Sequence, residues 1–278
     1  MNAETTTALK KTATNIRKSV IEAVAAAGSG HPGGSLSISD IMAYLYFKEM
    51  KVDPAHPQNP DRDRFVMSKG HCSPALYTTL AERGFFPKAD LTGFRQASSY
   101  LEGHPNMNKV PGVDMSTGSL GQGISAAVGM ALAGKIDGKA YHVYAMLGDG
   151  ELDEGEVWEA TMSAAHYKLD NLIAFVDYNG LQIDGNITDV MNPEPIADKF
   201  RAFRWNTISI DAHDFNQIED AIAKAKANTG SPTMIVARSV KGKGVSFMEN
   251  QASWHGTAPK KEQRDQAIAE LDAYLAAL

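Results

Sequence analysis

Three of the eight histidines in this 278-residue sequence directly follow a glycine. They are His31, His71 and His104, and a fourth, His255, directly precedes one. With 24 glycines in the chain, random order produces roughly 0.7 Gly-His pairs. Glycine lets backbone and imidazole approach a ligand closely, and a loop imidazole exchanges protons near neutral pH. The pattern indicates histidines that carry protons or bind a ligand, although hydrogen bonding to local backbone is the alternative for each one alone. The other four histidines lack this context and are expected to be structural or solvated: His56, His142, His166 and His213.

An acidic turn, Gly148-Asp149-Gly150, follows an apolar run, and Asn179 follows the next such run 30 residues later. One βαβ unit covers that separation, so both side chains are expected at neighbouring strand ends on one edge of a sheet. Carboxylate and amide oxygens, with a main-chain carbonyl, suit Mg²⁺ or Ca²⁺. Because Mg²⁺ completes its octahedron with phosphate oxygens and water, the pattern predicts a diphosphate as co-ligand, with Gly150 offering its N–H.

Two glycine-containing stretches carry weaker signals. The stretch Gly-Ser-Leu-Gly-Gln-Gly at residues 118–123 opens an apolar helix but has no strand before it, unlike a dinucleotide-binding turn. Its glycines fit a place where a flat ligand ring lies against backbone. The stretch Lys-Gly-Lys-Gly at residues 241–244 is interpreted as a mobile basic lid that reaches a phosphate, and a solvated surface loop is the alternative.

Hydrophobic periodicity supplies the elements that position these residues. Helices are predicted at 5–27, 37–48, 73–83, 120–134, 153–167, 215–228 and 260–278, the sixth capped by Asp214. Strands are predicted at 64–67, 142–147, 171–177, 204–210 and 234–238. Alternation of strands and helices predicts an α/β fold, a mostly parallel sheet with helices on both faces. We expect one domain over residues 1–278 with helical extensions at both ends.

Composition narrows the class of protein. With 43% hydrophobic and 22% charged residues, the chain is typical of a globular protein. A formal charge of −6 disfavours a surface that binds nucleic acid. The sequence contains no run of about 18 apolar residues, so no membrane span is expected. Because the N-terminus lacks a signal-peptide pattern and Cys72 is the sole cysteine, a reducing, cytoplasmic location is expected.

Taken together, the motifs resemble those of the transketolase family of thiamine diphosphate enzymes. Residues 148–179 resemble the thiamine diphosphate motif. The stretches Gly-His-Pro-Gly-Gly at 30–34, Ser-Lys-Gly-His at 68–71, and Gly-His-Pro at 103–105 continuing to residue 123 resemble transketolase in the family's order. The similarity runs from about residue 10 to about residue 258. It implies the thiamine diphosphate-binding (pyrophosphate-domain) fold and transfer of a two-carbon ketol unit from a ketose to an aldose.

The resemblance also implies residue roles. The side chains of Asp149 and Asn179 and the carbonyl of Leu181 would hold the metal. The implied contacts to thiamine diphosphate are Gly150, His71 and His255 at the diphosphate, Gly118 and Leu120 at the aminopyrimidine, and Ile183 at the thiazolium. His31, His104 and His255 would face the reacting carbons and pass protons to and from sugar hydroxyls. Glu154 resembles a carboxylate that couples two active sites.

One part of the family pattern is absent. In transketolases a second, pyrimidine-binding domain supplies the glutamate that activates the cofactor, and nothing in this sequence resembles it. We therefore expect the chain to be the N-terminal subunit of a split transketolase. Its partner would carry the pyrimidine-binding and C-terminal domains, the assembly would be an α2β2 heterotetramer, and sugar phosphates would be the substrates.

Three alternatives stay open at this point. The α-subunit of a 2-oxo acid dehydrogenase shares the metal motif, but it has no need for several histidines reading sugar hydroxyls. A specialised ketol transferase would act on an unusual sugar phosphate, a sulfosugar or formaldehyde. A cofactor-binding module without catalysis would tolerate substitution of the histidines.

Overall fold

A computed structural model describes residues 1–278. Its five strands form one sheet in the order β1-β2-β3-β5-β4, and every neighbouring pair is parallel. The strands are β1 (Arg64–Met67), β2 (Val143–Gly148), β3 (Leu172–Tyr178), β4 (Asn206–Asp211) and β5 (Thr233–Arg238). Each begins and ends within two residues of its predicted position. The predicted α/β fold with a parallel sheet is confirmed.

Ten α-helices accompany the sheet. They are α1 (Ala3–Ala27), α2 (Pro32–Ser37), α3 (Ser39–Tyr44), α4 (Ser73–Arg83), α5 (Gln122–Ile136), α6 (Gly155–His166), α7 (Ile187–Val190), α8 (Ile196–Ala202), α9 (Phe215–Ala227) and α10 (Lys261–Ala276). The Asp214 carboxylate caps α9 by accepting the N–H of Asn216 at 2.9 Å, as predicted. None of the helices combines the length and the apolar character that crossing a membrane requires.

Alternate strand residues face opposite sides of the sheet, and each side is covered by helices. On one side, strand residues such as Tyr144 and Phe175 pack with the apolar faces of α1, α3, α4, α9 and α10. On the other side, residues such as Ala145 and Val176 pack with α5, α6 and α8. Because both of their faces are buried, β2, β3 and β5 are almost continuously apolar, whereas the edge strand β4 alternates polar and apolar residues and is largely accessible. The buried sheet therefore fixes the positions of the loops at its carboxyl edge.

The helix predicted at residues 37–48 is wrong in detail. The structure divides this region into α2, α3 and a π-helical turn at Leu45–Glu49. Nearly all of these residues are buried, including Ser35, Ser37 and Ser39, whose hydroxyls donate to main-chain carbonyls three or four residues earlier. Such local bonds compete with the regular helical pattern and favour its interruption. Residues of α2 contact the sheet edge directly: the Gly34 carbonyl accepts the Lys69 ammonium at 2.9 Å, and the Ser37 hydroxyl donates to Asp177 at 2.7 Å.

Candidate active site

The acidic turn and Asn179 lie together at the carboxyl edge of the sheet. β2 and β3 are paired, with Gly148 opposite Asp177, so Asp149 and Asn179 follow neighbouring strand ends. The Asp149 carboxylate accepts the N–H of Gly150 at 2.8 Å and the N–H of Gly180 at 2.6 Å. It therefore contacts the backbone directly after Asn179. The predicted proximity of these two motifs is confirmed.

Asp149 is held in an environment that favours a bound cation. The residue is 2% exposed. Burial, followed by repulsion from Asp177, raises the pKa of Asp149 to about 6, although the N–H groups of Gly180 and Gly150 lower it. A buried carboxylate beside a second carboxylate is stabilised when a positive charge lies against it. The Asp149 carboxylate thus has the electrostatics of a metal ligand.

Hydrogen bonds fix the orientation of the Asn179 amide. Its Nδ2 donates to Asp177 at 3.0 Å, and its Oδ1 accepts the Leu181 N–H at 3.1 Å. Asp177 is itself held by the Lys69 ammonium at 2.6 Å and the Ser37 hydroxyl at 2.7 Å. Although burial opposes ionisation, the Lys69 charge lowers the pKa of Asp177 and keeps it an acceptor. The amide nitrogen is consequently committed to Asp177, and the amide oxygen is the atom available to a ligand.

Lys241, in the basic stretch predicted to reach a phosphate, is a buried cation, which the sequence did not predict. It is 2% exposed, and no carboxylate lies within ion-pair distance of it. Its ammonium donates to the Leu181 carbonyl at 3.1 Å and to Nδ1 of His255 at 3.1 Å. Burial lowers the pKa of Lys241, since the charged form is desolvated. A buried ammonium without a paired carboxylate favours an anionic ligand.

This placement corrects the alternative of a solvated surface loop for residues 241–244. Lys243 is partly exposed and lies 3.4 Å from Glu249, as in such a loop, but Lys241 points inward. Gly33 makes the inward packing possible: a Cβ there would lie 2.8 Å from the Trp254 carbonyl and 3.1 Å from Cγ of Lys241. The absence of a side chain at Gly33 therefore lets Lys241 reach the sheet edge.

Three of the glycine-flanked histidines form one cluster. The ring centroids of His31, His71 and His255 lie 5.1 to 5.3 Å apart in all three pairings. Burial and neighbouring positive charges lower the pKa of His31 to about 4 and that of His255 to about 3, and lower that of His71 as well. Nδ1 of His31 is buried and has no hydrogen-bond partner. The cluster is neutral near pH 7 and offers an open donor or acceptor to a ligand.

His104 lies apart from this cluster. It is exposed, its ring lies against Gly118, where a Cβ would sit 3.4 Å from it, and its carbonyl accepts the Tyr77 hydroxyl at 2.8 Å. Burial and the charge of Arg95 lower the pKa of His104. The side chain therefore stands at the rim of the site, next to the surface predicted to hold a flat ring.

One cavity of about 280 Å³ joins these features. Except for His104, every site residue predicted from the sequence lines it: His31, His71, Gly118, Leu120, Asp149, Gly150, Asn179, Leu181, Ile183 and His255. Ile183 is 68% exposed and forms part of the open side. The lining also includes Lys69, Glu151 and Gln182, which were not assigned to the site from the sequence, and Lys241 of the basic stretch predicted to reach a phosphate.

Glu151 connects the glycine-containing stretch at residues 118–123 to the end of β2 through hydrogen bonds. Its buried carboxylate accepts the Ser68 hydroxyl at 2.5 Å and the N–H groups of Gly121 and Gly148, each at 2.9 Å. Gly70 brings the same stretch close, because a Cβ there would lie 2.8 Å from the Gly118 nitrogen. These contacts hold Gly118 and Leu120 on the wall of the cavity that faces Asp149.

The residues present fit a metal-bound diphosphate. The donor set is one buried carboxylate, one oriented amide oxygen and the Leu181 carbonyl, and no group of three or more His, Cys, Asp or Glu side chains in the structure makes a metal site by itself. Oxygen donors in such small number match a cation that shares its shell with phosphate and water. The unpaired Lys241 and the unpartnered His31 nitrogen supply positive charge and hydrogen bonding for the anion.

The histidine cluster predicts loss of stability in mild acid. Each folded-state pKa lies below the value of about 6.5 expected in the unfolded chain. Between about pH 6.5 and pH 4 the unfolded state therefore binds more protons at these three histidines, against the raised pKa of Asp149, so the free energy of unfolding falls as pH falls. Denaturant midpoints of the ligand-free chain at pH 7, 6, 5 and 4.5 should decline. The midpoint of His31→Gln should decline less steeply with falling pH. The midpoint of His56→Gln, which changes an exposed site, should decline like that of the wild type. Equal slopes for all three proteins would contradict the assignment.

Comparison with known proteins identifies the family to which this chain belongs. Residues 8–272 match the family described as "Transketolase, thiamine diphosphate binding domain". The chain is 47% identical to the 6-deoxy-6-sulfo-D-fructose transketolase subunit of Clostridium sp. (strain MSTE9), covering 95% of this chain and 96% of that protein. It is 42% identical to one subunit of the apulose-4-phosphate transketolase of Phocaeicola vulgatus, covering 92% of this chain and 90% of that protein.

Longer proteins match the same region. Mouse transketolase is 45% identical over 95% of this chain, which spans 42% of that protein. The solved structure of transketolase from Campylobacter jejuni superimposes with a TM-score of 0.90 and 33% identity, covering 98% of this chain and 43% of that one. The chain thus spans less than half the length of these transketolases. With the family match over most of its length and these identities, it belongs to the transketolase family, as its thiamine diphosphate-binding domain.

Proposed function

We propose that this chain is the N-terminal subunit of a split transketolase, which transfers a two-carbon ketol unit from a ketose phosphate to an aldose phosphate. The observation that carries the proposal is the single cavity in which Asp149, Asn179 and Leu181 face Lys241 and the histidine cluster. Anion binding, metal binding and proton transfer thereby meet at one place. The two relatives named as subunits, which match this chain along 96% and 90% of their own lengths, support the split arrangement.

The carboxyl edge of the sheet holds the cofactor. Asp149, Asn179 and the Leu181 carbonyl would bind Mg²⁺ or Ca²⁺, and Lys241 adds a second positive charge beside Leu181. Toward thiamine diphosphate, Gly150, His71 and His255 would bind the diphosphate, Gly118 and Leu120 the aminopyrimidine, and Ile183 the thiazolium. Thiamine diphosphate, when bound, supplies the carbon nucleophile that ketol transfer requires.

The histidines supply proton transfer. His31 and His255 are neutral at pH 7 because their pKa values are lowered, and His31, which has an unpartnered ring nitrogen, can accept a proton from a sugar hydroxyl. The ammonium of Lys241 donates to Nδ1 of His255, so the ring proton of the neutral imidazole is on Nε2, from which His255 can donate to a sugar oxygen. His104 at the rim faces an incoming sugar from the open side. These three residues are the proposed acid–base groups.

A partner chain would complete the site. It would carry the pyrimidine-binding and C-terminal domains, and two copies of each chain would form an α2β2 assembly. Glu154, exposed at the start of α6 and packed against Gly121, would lie where two active sites communicate. Residues 1–278 would act as one domain in this assembly, and a cytoplasmic location stays a prediction.

The substrate class is tested with a panel of donors. The names of two relatives contain 6-deoxy-6-sulfo-D-fructose and apulose 4-phosphate. Solved transketolase structures contain fructose 6-phosphate and sedoheptulose 7-phosphate. The reconstituted enzyme should use at least one such ketose with an aldose acceptor, measured as formation of the new ketose. A 2-oxo acid donor is the matched control. Turnover of the 2-oxo acid without turnover of any ketose would refute ketol transfer in favour of a dehydrogenase subunit.

Replacing Lys241 with methionine should weaken cofactor binding. Hydrogen bonds to charged groups contribute about 1.5–3 kcal/mol, so the Kd for Mg²⁺–thiamine diphosphate should rise by about tenfold to a hundredfold. Isothermal titration calorimetry of the assembled enzyme measures the change. Lys243→Met is the matched control, since Lys243 is partly exposed and pairs with Glu249. Equal affinities for the two variants would show that Lys241 does not contact the anion.

A further inference from the structure

A line of polar contacts connects α1 with the segment that follows β5. Arg17 donates to both oxygens of Asp40, at 3.2 and 2.5 Å, and to the Leu36 carbonyl at 3.3 Å. Nδ1 of His213 lies 2.7 Å from Oδ2 of Asp40. Nε2 of the same ring accepts the main-chain N–H of Val240 at 3.0 Å. Four residues from distant parts of the sequence thus form one continuous chain of hydrogen bonds.

The direction of each bond is determined by its partners. A main-chain N–H can only donate, so Nε2 of His213 is the acceptor and the ring proton is on Nδ1, facing Asp40. Burial raises the pKa of Asp40, but Arg17 and the hydrogen bond from His213 outweigh it and lower the pKa to about 2. Asp40 is therefore an ionised acceptor. The His213 ring therefore bridges Asp40 and the main chain of Val240, and its orientation is set by a carboxylate that Arg17 holds in place.

Val240 directly precedes Lys241. The neighbouring main-chain bonds of this segment run from the N–H of Ser239 to the Tyr178 carbonyl at 3.1 Å and from the N–H of Gly242 to the Gly33 carbonyl at 3.0 Å. Of the two residues between them, Val240 has the His213 ring as the acceptor of its N–H. His213 does not line the cofactor cavity but borders a separate cavity of about 730 Å³, so it acts on the site through the backbone.

We propose that His213, anchored by Asp40 and Arg17, is a positioning residue that orients Val240 and so places the Lys241 ammonium toward the anion in the cofactor cavity. The role of Lys241 in this inference rests on the proposed function. The orientation of the segment does not, because the contacts are present in the ligand-free chain. His213, which lacks the glycine neighbours of the other site histidines, thereby has a defined task.

Hydrogen exchange of the ligand-free chain tests the positioning directly. In His213→Phe, which keeps an aromatic ring but has neither donor nor acceptor, the amides of residues 240–243 should exchange about tenfold faster than in the wild type. His213→Gln, whose amide has one donor and one acceptor, should restore much of the protection. The control is His142→Phe, at the amino end of β2, which should leave these amides unchanged. Equal exchange in His213→Phe and wild type would overturn the inference.

A double-mutant cycle tests whether His213 acts through Lys241. His213→Phe should weaken binding of Mg²⁺–thiamine diphosphate by about fivefold to tenfold in the wild-type background and leave the affinity of Lys241→Met unchanged. Unfolding midpoints verify that the variants are folded. A full additional loss in the double variant would overturn action through Lys241. If the wild type itself binds no Mg²⁺–thiamine diphosphate, the proposed function fails, whereas the exchange experiment still decides the positioning role.

Discussion

Replacing Asp149 with alanine is expected to weaken metal-dependent binding of thiamine diphosphate by at least about a hundredfold in the assembled enzyme. The carboxylate is the one charged oxygen in the proposed ligand set, and its removal leaves the diphosphate without a metal to share. Binding measured by calorimetry at saturating Mg²⁺ should fall to a level that no longer depends on the metal. Ketol transfer should disappear with it.

Asp153 offers a matched control for this change. It lies in the same turn, is exposed, and its carboxylate accepts the Gln182 amide at 2.8 Å. Asp153→Ala should therefore retain cofactor affinity within about twofold, since an exposed side-chain hydrogen bond contributes little. Wild-type affinity and metal dependence in Asp149→Ala, with a normal unfolding midpoint, would make the metal assignment wrong.

Replacing His104 with alanine is expected to lower turnover far more than cofactor affinity. A positioned acid–base group contributes about a hundredfold to ten-thousandfold in rate. His104 stands at the rim beside Gly118 and does not line the cavity assigned to the cofactor. The kcat should therefore fall by at least about a hundredfold, while the Kd for Mg²⁺–thiamine diphosphate should change by less than about threefold.

His166, in the last turn of α6, is a control for the removal of an imidazole without effect on the site. His166→Ala should retain wild-type kcat. If His104→Ala instead lost cofactor affinity and turnover by the same factor, His104 would belong to the cofactor-binding group. If neither quantity changed, His104 would have no part in the reaction.

Much of the site could be predicted because its residues follow strand ends. A buried parallel strand is a continuous apolar run, and the next residue emerges at the carboxyl edge whatever the details of packing. Asp149 and Asn179 each follow such a run, which is why their proximity was predictable from spacing alone. The glycines beside His31, His71 and His255 similarly marked loops that approach one another closely.

Lys241 shows what local pattern does not reveal. Lys241 opens a Lys-Gly-Lys-Gly stretch, which is typical of a solvated loop, and its burial depends on contacts with residues far away in sequence. The missing Cβ of Gly33 makes room for its stem, and the Leu181 carbonyl and His255 receive its ammonium. Long-range complementarity of this kind has no signature within a short window of sequence.

The role of His213 and the division of residues 32–49 into separate helical segments also depend on tertiary contacts. The acceptor role of His213 exists because α3 places Asp40 against it and β5 ends beside it. The break between α2 and α3 accompanies serine hydroxyls that bond to carbonyls inside a buried segment. In both cases tertiary contacts decide the outcome over local propensity.

The most direct test of the account is ketol transfer by this chain with and without its partner. The chain alone, supplied with Mg²⁺, thiamine diphosphate, a ketose phosphate and an aldose phosphate, should show turnover no higher than a blank. Addition of the chain that carries the pyrimidine-binding and C-terminal domains should produce transfer that Asp149→Ala abolishes. Strong transfer by this chain alone, or none after the partner is added, would contradict the assignment as the N-terminal subunit of a split transketolase.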